Sequence, residues 1–68
     1  MNKSTLKDSV KQIPFRPFVL RLVDGQDFKI DDPDRIAVSP SQEIAVFFDT
    51  DHYYVIDTEK ITVLEVSP

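Results

Sequence analysis

Apolar residues recur along this chain at two spacings. Leu6, Val10 and Ile13 stand at i, i+4 and i+7, the stripe of an amphipathic helix. The spacing predicts a helix over about 4–13, with Ser4 as its N-cap and Pro14 ending it by forcing Ile13 out of helical geometry. Beyond Pro14 the period falls to two. Phe18, Leu20 and Leu22 alternate with Val19, Arg21 and Val23, which is a strand. Asp24-Gly25 is a hairpin signal, because glycine adopts positive φ without steric cost. Gln26–Ile30 is the return strand, with Phe28 and Ile30 on one face and Asp27 and Lys29 on the other.

Further punctuation divides the rest. Residues 31–35, rich in aspartate around Pro33, form a turn. Ile36–Val38 is a short strand closed by Ser39-Pro40-Ser41-Gln42. Ile44–Phe48 reads as a buried strand, Asp49-Thr50-Asp51 as a polar turn, and His52–Ile56 as the next strand. Asp57-Thr58-Glu59-Lys60 fits one helical turn before a last strand, Ile61–Val66. A helix of some ten residues does not persist alone and must dock on the sheet. The expected fold is α+β, mainly β: an N-terminal helix, then five or six short antiparallel strands in a meander over about 17–66. Such a meander forms a strongly bent sheet or a small open barrel.

The chain has 68 residues and no cysteine. It is one domain, 1–68, that buries only about 60% of its unfolded surface and has no disulfide or thiolate site to reinforce it. Packing, helped by self-association, must hold it. No apolar run approaches a membrane span and the first residues do not resemble a signal peptide, so a soluble, cytoplasmic protein is expected.

Net charge is −4, unevenly spread: residues 1–23 carry five basic groups against Asp8, and residues 24–68 carry three against eleven acids. A basic helix lying on an acidic sheet accounts for the split, and a bipolar surface that engages a partner is the functional reading. Nucleic-acid binding is possible but disfavoured, because an acidic body repels phosphate.

Two resemblances enter here. The block Pro14-Phe15-Arg16-Pro17-Phe18, with Asp24-Gly25, Pro33-Asp34 and Ala37-Val38-Ser39-Pro40, resembles a family of small uncharacterised bacterial proteins. The likeness runs from about Pro14 onward. It implies a shared fold and no particular activity; a histidine frequent before the Pro-Asp pair is Asp32 here. The helix, the hairpin at Leu22-Val23-Asp24-Gly25 and the bend at residues 57–61 also resemble Sm-like proteins, which implies an Sm-like or SH3-like small barrel. Those proteins form rings by strand pairing and bind RNA, but their RNA-contacting residues are not recognisable in this chain.

Catalytic chemistry finds little to use. His52 is the only histidine and Ser39 and Ser41 the nearest nucleophiles, without a nucleophile elbow. The run Asp49-Thr50-Asp51-His52 offers metal donors, but Tyr54 and Lys60 stand where a calcium loop needs glycine and glutamate. The cluster Asp31, Asp32 and Asp34 reads as a solvated turn. One glycine cannot build a phosphate loop. The expectation is a non-enzymatic protein-interaction module, with self-association as one mode, and with no cofactor, metal or small-molecule substrate. Its candidate surface comprises Lys7, Lys11, Arg16, Arg21, Tyr53 and Tyr54. An Sm-like nucleic-acid module using the basic N-terminal strip is the alternative. Of the adjacent aromatics Phe47-Phe48 and Tyr53-Tyr54, one of each pair must leave the core, tyrosine more readily because its hydroxyl tolerates water. The last strand, apolar on both faces, needs cover if it is a free edge.

Overall fold

A computed structural model describes residues 3–67, with side chains from Thr5 onward. It contains helix α1 (Lys3–Lys11) and six strands: β1 (Phe18–Leu22), β2 (Asp27–Ile30), β3 (Ile36–Val38), β4 (Ile44–Phe48), β5 (Tyr53–Asp57) and β6 (Ile61–Val66). The strands form two three-stranded antiparallel sheets, ordered β2-β1-β6 and β3-β4-β5. The chain is therefore mainly β with one helix, as its periodicity predicts. It is not one continuous meander, however, and the sheets do not join into a closed barrel. β2 does not pair with β3, nor β5 with β6.

Each break falls at one turn of 3-10 helix. Between β2 and β3, Pro33–Arg35 form one turn of 3-10 helix, capped by the Asp32 carboxylate accepting the Asp34 N–H at 2.9 Å. Proline contributes no N–H to a ladder and suits the first position of such a turn. Between β5 and β6, Thr58–Lys60 repeat the device, with Asp57 accepting the Glu59 N–H at 3.0 Å. Each turn carries the chain out of one sheet and into the other.

The first hairpin closes as Asp24-Gly25 predicts. The Gly25 N–H donates to Leu22 C=O at 3.0 Å, Leu22 N–H donates to Gln26 C=O at 2.9 Å, and Gly25 has φ of 93°. This is a three-residue loop whose left-handed position falls to glycine. Asp24 braces it by accepting from the Gln26 backbone and side-chain amides. Both contacts favour the ionised carboxyl, and they hold it below the usual carboxylate range.

The core lies between the sheets. Phe18, Leu20, Phe28 and Ile30 from one sheet meet Ile36, Ala45, Phe47 and Ile56 from the other, closed by Ile61 and by Leu6 of α1. Phe15 packs at its margin with its ring centroid 5.9 Å from that of Phe18. Thr58 is the one buried polar side chain among the described residues. Its hydroxyl donates to Gln42 C=O at 2.8 Å, joining the turn before β4 to the corner before β6.

Four local expectations change. α1 ends at Lys11, so Ile13 falls beyond it and is 94% exposed rather than part of the docking stripe. Ser4 lies within the helix, and any capping role of its side chain lies outside the described residues, as does the side chain of Lys3. His52 precedes the fifth strand, which runs on to Asp57. β4 is buried on one face only.

Candidate interaction surface

The two sheets present unlike outer faces. On the first, Arg21 of β1 stands opposite Asp27 of β2 and reaches both Asp27, at 3.6 Å, and Glu65 of β6, at 2.8 Å. This ladder makes an ordinary solvated face. On the second sheet, strand alternation sends Ala37 of β3, Ile44, Val46 and Phe48 of β4, and Tyr53 and Val55 of β5 outward. The register sets Phe48 opposite Tyr53 and Val46 opposite Val55. Tyr53 is 69% exposed, Val55 63% and Phe48 45%. Asp57, at the end of β5, is the only charged side chain that these three strands send to that side. Isolated exposed apolar residues need no explanation, whereas these form one contiguous apolar set across three strands.

A second feature lies where the sheets diverge. Phe28, Phe47 and Tyr54 form a cluster, with centroids 5.4 Å apart for Phe28–Phe47 and Phe28–Tyr54 and 6.2 Å for Phe47–Tyr54. They line an open groove of about 500 Å³ between β2 and the β4–β5 turn. Tyr54 remains 41% exposed there. Arg35 closes one end of the groove, 3.3 Å from Asp31 and 3.9 Å from Asp49.

The six residues singled out from sequence do not form one patch. Lys7 and Lys11 flank a groove of about 330 Å³ beside Val10, Val38 and Pro40, between α1 and the end of β3. Arg16 lies elsewhere, near Asp8, Gln12 and Val66. Arg21, expected to be available to an outside partner, is held between Asp27 and Glu65. Tyr53 belongs to the outer face and Tyr54 to the groove, so adjacent tyrosines serve different surfaces. Phe48 also leaves the core, and with Ile44 and Val55 it adds exposed apolar surface not singled out from sequence. The signal was present: neither Ile44-Val46-Phe48 nor Tyr53-Val55 supplies a polar face.

The catalytic and metal candidates stay apart. The Ser39 hydroxyl lies 3.2 Å from that of Ser41 and accepts the Ile44 N–H, whereas His52 sits at the far end of β4. Five residues of extended chain separate the two turns by roughly 17 Å. Among the described residues no cluster of histidine, aspartate and glutamate has the geometry to hold a metal, and no helix is long and apolar enough to cross a membrane. No family model, curated protein or solved structure matches the chain.

Proposed function

We propose that this chain is a non-enzymatic protein-interaction module that docks through the outer face of the β3-β4-β5 sheet, a second copy of itself being the first partner to test. The apolar continuity of Ile44, Val46, Phe48, Tyr53 and Val55 carries the reading. Aromatic and aliphatic side chains gathered without charge are the usual centre of a protein interface. We also infer a small open barrel of Sm-like or SH3-like kind. Three features support it: β1 lies between β2 and β6, both sheets share one core, and a one-turn helix leads into β6.

The nucleic-acid alternative draws less support. Arg21 is engaged by two carboxylates, and Arg16 lies away from Lys7 and Lys11, so the basic strip is broken.

Sedimentation velocity tests the proposal. The wild type should associate with rising concentration, and Val55→Lys, on an exposed position, should sediment as a folded monomer. If the wild type stays monomeric and a photo-crosslinker at Tyr53 captures no protein that Val55→Lys loses, the reading fails.

A further inference from the structure

We propose that the groove between the diverging sheets binds an extended, arginine-bearing peptide segment as an added strand along β2. This goes beyond docking at the outer face and uses different residues.

The first observation concerns backbone groups. β2 is an edge strand of its sheet. Leu22 N–H donates to Gln26 C=O, which places the hydrogen-bonded pairs of the β1–β2 ladder at Leu22–Gln26, Leu20–Phe28 and Phe18–Ile30. By alternation, the N–H and C=O groups of Asp27 and Lys29 point away from β1, along the free edge. Both residues line the groove. An edge of this kind accepts a further strand through main-chain hydrogen bonds.

The second observation is charge. Residues 24–35 and 49–51 carry seven aspartates against Lys29 and Arg35, a net −5. These segments are the first hairpin, the 3-10 corner and the β4–β5 turn, and each contributes residues to the groove. At its end, two carboxylates, Asp31 and Asp49, converge on the single guanidinium of Arg35 and leave an excess of negative charge. A cationic peptide is drawn to such a field and an RNA strand is repelled by it.

The third observation is the floor. The exposed ring of Tyr54, backed by Phe28 and Phe47, offers a π face beside the carboxylates. A guanidinium stacks on such a face while donating to carboxylates, which an ammonium does less well. Alternation along an added strand would send every second side chain to that floor.

The test uses the full chain, isotopically labelled, and a short fluorescent peptide of alternating arginine and valine. Saturable binding is expected at moderate salt, with amide shifts concentrated at Asp27, Lys29 and residues 47–54. The same peptide N-methylated at alternate amides should bind roughly tenfold more weakly or worse, since it keeps its charge and loses the ladder. Asp31→Lys and Tyr54→Ala should each weaken binding by a similar factor, the former at an exposed position that does not risk the core. Val55→Lys should leave it unchanged, so failure at the outer face and failure here are separable. Equal binding of the methylated peptide or of a glutamate-for-arginine peptide, or shifts spread over every acidic turn, would overturn the proposal. So would the absence of binding.

Discussion

At the scale of single residues, the first hairpin concentrates the clearest dependencies. Gly25 holds φ of 93°, and beyond its two chain neighbours no atom comes within 4 Å of where a Cβ would stand. A substitution there meets backbone strain and no collision. Gly25→Ala should therefore cost about 1 kcal/mol, lowering the melting temperature by roughly 4–8 °C. Gly25→Asn should cost less, because asparagine tolerates the left-handed region. Thermal denaturation followed by circular dichroism measures both. Asp24 adds a pH dependence. Its folded pKa lies below the ordinary carboxylate value, so its contribution is complete above that value and is lost as pH falls through the depressed one. A carboxyl titration by NMR should find Asp24 titrating below the ordinary aspartate value, and Gln26→Ala, which removes the side-chain contact, should bring it back toward that value.

At the scale of elements, helix docking depends on few side chains. Leu6 is buried, Val10 packs at the core margin, and Ile13 contributes nothing. Leu6→Ala should cost about 2–5 kcal/mol, the range for a large core side chain cut to alanine. In a domain this small that is a large fraction of total stability. The helical circular dichroism signal should fall at temperatures where the wild type retains it. The boundaries of most elements were legible in the sequence because local chemistry sets them: Asp24-Gly25, Pro33, Ser39-Pro40 and Asp57 all end or turn a strand where they stand. Pairing was less legible. That Pro33–Arg35 and Thr58–Lys60 divide the strands between two sheets depends on which strands meet across long stretches of chain. The end of α1 was misplaced because proline marks where a helix cannot continue, not where it stops. The face taken by Phe47 or Phe48 was open for a similar reason: adjacent apolar residues satisfy either register, and tertiary pairing selects one. The groove arises only from the divergence of two sheets, and no linear spacing encodes it.

At the scale of the molecule, charge is the main global term. The acidic excess on residues 24–68 is distributed over surface turns and outward strand positions, and its self-repulsion opposes compactness. The ladder through Arg21 works the other way, but its members are solvent-exposed and such pairs contribute ~0–1 kcal/mol. Repulsion should dominate, so raising salt from low to about physiological strength should raise the melting temperature, as screening shortens to about 8 Å. A fall in melting temperature over that range would mean that the ion pairs outweigh the repulsion. The same experiment bears on association, since screening lets two acidic copies approach while leaving the apolar face unaffected.

The central place of β1 has a consequence for the order of folding. Its neighbours are β2, which follows it across a short turn, and β6, the most distant strand in sequence, whose following residue Ser67 donates back to Pro17 at 3.0 Å. The first hairpin can form locally, but β1 keeps one edge bare until Ile61–Val66 folds back against it. Until that pairing forms, the half-made sheet offers its edge to any passing strand, so the delay before this long-range contact is the interval in which the fold is most open to misassembly.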